Sequence, residues 1–184
     1  QDYGFFTQVE KMDKKFLANH GLDAKGAFYK AEQFEFHDQP DVIKAQVADG
    51  PETKAFEEIL GIAGAKDHAK LVQMLADVND EAKPINDTIA RHFDRANYVT
   101  WLAVNVLTGN LDTNSQNFYL YSPPGGTTWT FCTWDYDGAF DFYAQLDGID
   151  SVRERWERGL SNWWEVNLWE RFLSKPANVA AVDA

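Results

Sequence analysis

The stretch GNLDTNSQNFYLY, residues 109 to 121, constrains this chain more than any other. It sets an acid, Asp112, and five further polar residues directly before an aromatic run. Upstream, FDRANYVTWLAVNVLTG (Phe93 to Gly109) carries Tyr98, Leu102, Ala103 and Val106 at helical spacing, with Trp101 and Leu107 widening the stripe. This predicts a mostly buried helix that Gly109 ends. Downstream, NFYLY and TWTFCTWD read as two strands, and SPPGG between them is a turn signal, so the pair forms a hairpin. A hairpin brings its two open ends together. Asn117, entering the first strand, and Asp135, leaving the second in TWDYDGAF, are therefore expected side by side, with Asp112 at the same mouth.

The rest of the chain supplies a frame for that mouth. YGFFTQVE (Tyr3 to Glu10) and GAFYKAEQFEF (Gly26 to Phe36) have the content of strands, and MDKKFLANHG between them reads as a short helix. PETKAFEEILG begins a helix at Pro51 and stops it at Gly61. In KDHAKLVQMLADV, Leu71, Met74, Leu75 and Val78 share one helical face. VRERWERGL and WWEVNLWERFL read as two closing helices, Asn162 and Glu165 resemble a capping box, and the residues after Pro176 are expected to fray. The adjacent Trp163 and Trp164 cannot share a helix face, so one is expected outside. The fold class is α+β, with a small β-rich lobe over 1–40 and a mainly helical lobe over 41–184.

Composition narrows the chemistry. With 45% hydrophobic and 15% aromatic residues, 184 residues are enough for a substantial core. A net charge of −12 with no basic patch repels nucleic acid and attracts cations. One cysteine, Cys132, permits no internal disulfide. His20, His37, His68 and His92 lack zinc-ligand spacing and read as surface or capping residues. No apolar run reaches the length of a membrane span. The opening QDYGFFTQVE reads as the middle of a strand, as in a piece of a longer protein.

Two carboxylates and an amide at one mouth suit a hard cation, Mg2+ or Mn2+. Asp-x4-Asn, then a hairpin and a second Asp, also matches the parts list of phosphoryl transfer. One Asp orients the attacking hydroxyl, and the Asn and second Asp hold metal on the nucleotide phosphates. Lys30, central in the second strand, is the candidate phosphate lysine, and Glu10 on the neighbouring strand the candidate partner. Each residue has a plainer reading. Asp112 alone is a helix-end residue, Asn117 a turn cap and Lys30 a solvated strand lysine.

The segments GFFTQVEKMDKKFLANHG…GAFYKAE and NYVTWLAVNVLTGNLDTNSQNFYLYSPPGGTTWTFCTWDYDGAF resemble the CotH family of atypical, secreted protein kinases, and NLWERFLSKP resembles the family's following helix. The shared pattern is Asn-x-Asp…Asn-x-Tyr-x-Tyr…Trp-Asp-x-Asp. This resemblance implies a reduced protein-kinase-like fold and transfer of phosphate from ATP to Ser/Thr of secreted proteins. By position it makes Asp112 the acid-base residue, Asp135 the main metal ligand, Asn117 a group at the metal-phosphate edge and Asp137 an assistant. It sets Lys30 and Glu10 in the small lobe. A secreted, cell-surface or spore-coat location follows from the same likeness. The family's upstream Arg-Gly-Asn-Ser-like turn and Lys-rich strand have no match here.

Three other readings compete. DYD also fits the Asp-x-Asp signature of metal-dependent nucleotide-sugar transferases, although the chain lacks their β-α alternation. DTNSQN starts like a calcium loop but fails, with Pro123 where the bidentate Glu belongs. A non-catalytic binding module of an extracellular or carbohydrate-degrading assembly is compatible with the acidic, aromatic composition.

Overall fold

A computed structural model of the chain describes residues 4, 8–63 and 67–184. Within them the fold is mixed α+β, with nine helices and one four-stranded antiparallel sheet. In chain order these are α1 (Lys14–Asn19), β1 (Ala27–Ala31), α2 (Pro51–Glu57), β2 (Leu60–Ala63), α3 (Ala69–Asn79), α4 (Ile85–His92) and α5 (Arg95–Thr108). A 3-10 turn, Leu111–Asn114, leads to β3 (Phe118–Ser122) and β4 (Thr130–Thr133). Then come α6 (Phe142–Asp147), α7 (Ile149–Arg158), a second 3-10 turn at Gly159–Trp163, α8 (Asn167–Leu173) and α9 (Pro176–Val182).

The sheet order is β2-β1-β3-β4. The hairpin forms as expected, with Phe118 opposite Thr133 and Tyr121 opposite Thr130. β1 pairs antiparallel to β3, with Lys30 opposite Tyr119, so the Lys30 strand is joined directly to the hairpin. The strand expected over Tyr3 to Glu10 lies partly outside the described residues, and Gln8 to Glu10 are not in a strand. β2 takes the outer place beside β1.

Strand alternation gives the sheet two apolar faces. Tyr29, Ala31, Phe118, Leu120 and Phe131 join the main core against the helices. Phe28, Tyr119 and Tyr121 face the other way, onto Met12 and Leu17 of the α1 region. The main core is dense in rings. Trp101 stacks on Phe131 at 4.4 Å, and Phe172 meets Tyr98 edge-on at 4.9 Å. Each such pair contributes roughly 0.5–1.5 kcal/mol beyond its buried area. The exposed edge of β4 is covered by Asn97 of α5. Its amide donates to Phe131 O at 3.1 Å and accepts from Phe131 N at 2.7 Å, replacing a missing strand.

α5 is the axis on which the site depends. Asp94 caps its start by accepting from Asn97 N, and Gly109 ends it in the left-handed conformation at φ 62°. Tyr98, Trp101, Leu102 and Asn105 form its buried face. Leu107, expected on that stripe, is 86% exposed, and the polar Asn105 takes the inner position.

Other expectations change. α2 ends at Glu57, because the chain turns into β2 before Gly61. WWEVNLWERFL divides into the second 3-10 turn and α8. Asn162 forms no capping box; its amide donates to Arg155 O and Gly159 O. The segment after Pro176 is helical, with Asn178 buried and its amide bonded to Phe172 O at 3.0 Å. Trp163 is buried and Trp164 half-exposed, the split that adjacent positions require.

Candidate active site

The polar loop clamps its own acid. The side-chain amide of Asn117 donates to Asp112 Oδ2 at 2.9 Å, and that of Gln116 reaches Asp112 Oδ1 at 3.4 Å. Gln116 N also donates to Asp112 O, which closes the turn. A carboxylate has about four acceptor positions, so both oxygens of Asp112 keep capacity for a substrate hydroxyl.

The mouth is built from unusual backbone. Asn117 has φ 61° and Asp135 φ 51°, so both open ends of the hairpin are left-handed. Asn and Asp tolerate that region because their short side chains bond locally. Phe140 and Asp141 follow at φ 59° and 56°. Phe140, 72% exposed, has no polar side chain to bond locally, so its conformation costs of order 1–3 kcal/mol, held by backbone bonds to Thr108 O and from Gln145 Nε2; such strain concentrates at functional sites.

The segment after β4 folds back onto the Asp112 turn. A Cβ on Gly138 would lie 3.3 Å from both Asp112 Cβ and Asn110 Oδ1 and 2.9 Å from the Tyr143 ring. Any larger residue would push the Tyr143 ring and crowd Asp112. Tyr143 then stands beside the acids. Its hydroxyl is held above its usual pKa by the carboxylates of Asp112 and Asp137, and more weakly by partial burial and by Asp135. Asp112 is half-buried, while Asp135 and Asp137 are exposed. Asp112, Gly138, Tyr143, Glu154 and Arg155 line a cleft of about 470 Å3.

Lys30 reaches the same end of the sheet by a different pairing from the one expected. Its Nζ lies 2.9 Å from Glu32, while Glu10 instead accepts from Asn19 at 2.7 Å and meets His20 at 3.0 Å. The expected Glu10–Lys30 pair is thus replaced by Lys30–Glu32. Glu32 lies just past the end of β1, and its carboxylate turns back to Lys30. Beyond the strand ends, Phe34 N donates to Ser115 O, a further tie between this segment and the Asp112 loop. Tyr119, opposite Lys30, stands two residues from Asn117, about 7 Å along the strand.

Asp112 and Asn117 are therefore in contact, the charges of Asp112, Asp137 and Asp135 all act on the Tyr143 hydroxyl, Lys30 pairs with Glu32, and Glu10 pairs with Asn19 and His20. Sequence reasoning missed Glu32, Gln116, Gly138 and Tyr143. Closeness in sequence could have found the first, and amide density the second. Gly138 and Tyr143 depend on a fold-back that no local pattern encodes.

The histidines hold other posts. His37 pairs with Glu35 and His20 with Glu10 on the surface. His68 occupies the N-cap position of α3, yet its ring is buried against the Tyr29 hydroxyl at 2.6 Å. His92 is also buried and donates to Asp77 at 2.6 Å. His20 and His37 hold the expected surface posts and His68 a cap position, but the rings of His68 and His92 are buried in the core.

Among the described residues no helix is long and apolar enough to cross a membrane, and no three His, Cys, Asp or Glu side chains form a ready-made metal cage. An Mg2+ in a phosphoryl-transfer site needs only one or two carboxylates, since nucleotide phosphates and water complete its shell. The oxygen donors of Asp135, Asp137 and Asn117 fit that requirement.

A family model described as CotH kinase protein matches residues 1–183. Inner spore coat protein H of Bacillus subtilis (strain 168) is 26% identical over 157 residues, which cover 82% of this chain and 41% of that protein. The chain spans about two-fifths of the length of the curated relative it matches.

Proposed function

Because this chain belongs to the CotH kinase family, we propose that it transfers phosphate from ATP to Ser or Thr hydroxyls of a secreted or surface protein, with Mg2+ or Mn2+. The observation that carries the reading is the bond between Asn117 and Asp112 at the open end of the hairpin, with Asp135 and Asp137 around the same mouth.

Asp112 orients the acceptor hydroxyl and takes its proton. Asn117 has two tasks. Its Nδ2 steadies Asp112, and its carbonyl oxygen remains available to metal or phosphate. Asp135, assisted by Asp137, holds the cation. Lys30 contacts phosphate, and Glu32 takes the steadying role that Glu10 was expected to fill. Mg2+-ATP, when bound, supplies the phosphoryl group and neutralises its charge. What the protein adds is mostly position and preorganised charge. We read residues 1–40 as the small lobe and 41–184 as the mainly helical lobe of a reduced kinase fold. The extracytoplasmic or spore-coat setting belongs to the same proposal.

Thermal melting of the full-length protein with Mg2+-ATP, and separately with Mg2+ and a nucleotide sugar, tests the nucleotide assignment. At ligand about 100-fold above its dissociation constant, binding adds about 2.7 kcal/mol. A shift with ATP alone supports the kinase reading. A shift with the nucleotide sugar alone would replace it with glycosyl transfer, and no shift with either would favour a non-catalytic module.

A further inference from the structure

α7 presents a puzzle, because none of its residues is buried, yet it lies against the mouth. Its Arg155 is the side chain that reaches inward, with 17% of its surface exposed. One guanidinium nitrogen donates to Gly109 O at 2.9 Å, and the other lies 3.3 Å from Asp141 Oδ1. Gly109 is the last residue before the turn that carries Asp112. Asp141 closes the segment that begins with Asp135. The same guanidinium thus touches both sides of the site at once.

The surrounding contacts fix this junction. Asp141 Oδ2 also accepts from Trp156 Nε1 at 3.2 Å. Gly109 is favoured by its positive φ, and a Cβ there would lie 3.1 Å from Asp141 Oδ1 and press on that carboxylate. Phe140 N donates to Thr108 O, a second tie between the two segments. The left-handed conformations of Phe140 and Asp141 turn the chain so that Asp141 faces Gly109.

We propose that Arg155, held by Asp141, is a positioning residue that sets the distance between the Asp112 turn and the Asp135–Asp137 segment. Its role is to hold the two segments, through Gly109 O and the Asp141 carboxylate. The inference rests on the kinase reading for its consequence in catalysis, but the link between the two segments stands apart from it. A planar fork that contacts a carbonyl and a carboxylate together is a task for arginine; the ammonium of lysine is a single point.

The test compares Arg155→Ala, Arg155→Lys and Asp141→Asn in the full-length protein, by hydrogen exchange and by steady-state transfer from ATP. The expected result is faster amide exchange in both 109–114 and 135–141, with β1 and β3 unchanged. In transfer, kcat falls tenfold or more for Arg155→Ala while KM for ATP stays within twofold, and Arg155→Lys recovers only part. Unchanged exchange in both segments for Arg155→Ala and Asp141→Asn would overturn the link. Faster exchange with an unchanged kcat would overturn the positioning role. If Arg155→Ala does not fold, Arg155→Lys and Asp141→Asn decide by the same criteria. A wild-type protein that binds no ATP and transfers no phosphate would sink the kinase reading, and the exchange arm would still decide the link.

Discussion

Asn117 donates its side-chain amide to Asp112 across 2.9 Å, from the far end of a five-residue polar loop. With Gln116 on the other carboxylate oxygen, this loop fixes the acid in one orientation at the mouth of the hairpin. Two of the loop's three amides are spent on a single side chain, while Asn114 donates to Asn162 O and Thr113 to Asn110 O.

Removing that acid should abolish transfer without unfolding the protein. Asp112→Asn keeps the shape of the side chain and cannot take a proton, so kcat should fall by about 10²–10⁴. Asn117→Ala should cost at least tenfold through loss of both orientation and its own oxygen. Melting temperatures of both variants, measured beside the rates, should stay within a few degrees of wild type because both side chains are only half-buried.

Asp135→Asn should act through the cation. The Mg2+ or Mn2+ concentration giving half-maximal activity should rise at least tenfold, with residual activity recovered at high metal. Unaltered metal dependence would remove Asp135 from the ligand set and leave Asp137 as the candidate.

The two glutamates separate cleanly. Lys30→Met should raise KM for ATP, and Glu32→Gln should do so to a smaller degree because the pair is more than a third exposed on the Glu32 side. Glu10→Gln should leave KM unchanged, since Glu10 bonds Asn19 and His20.

Acid should unfold the domain through Asp77. Burial alone would raise this carboxyl, but hydrogen bonds from His92, Lys83 and Gln73 overcome it and hold the pKa well below the usual carboxylate range. The folded-state value is thus depressed below an unfolded value of about 3.9. The stabilisation is present above that pH and is lost progressively as pH falls below it. Asp77→Asn should cost about 1–3 kcal/mol at neutral pH, because the amide keeps one acceptor oxygen for the donors of His92, Lys83 and Gln73, while the part-exposed Lys83 charge is screened by solvent. Urea titrations at several pH values should show a flatter acid limb for the variant.

The helix, loop and hairpin around Asp112 were legible because each has a local signature: helical period, amide density and a Pro-Pro-Gly-Gly turn. The hairpin's geometry then implied the meeting of its ends. Lys30's partner was misread, because pairing it with Glu10 assumed a neighbouring strand, whereas Glu32 lies only two residues on in the same segment. α4 and β2 went unread; the buried stripe of INDTIARH (Ile85, Thr88, Ile89, His92) includes a threonine and a histidine that apolar counting passes over, and LGIA is too short. The α9 helix was hidden behind Pro176, which starts it instead of breaking the chain. Nothing local signals that Gly138 must pass within contact of Asp112, or that Arg155 spans from α7 to Gly109. Those relations exist only once distant segments have packed.

The most direct measurement is transfer of labelled γ-phosphate from Mg2+-ATP by the full-length protein, onto itself or a secreted protein from the same source, beside Asp112→Asn. Label on Ser or Thr with wild type and none with the variant is the predicted result. Equal labelling by both proteins, or a wild type that binds ATP and moves no phosphate, would contradict the role given to Asp112.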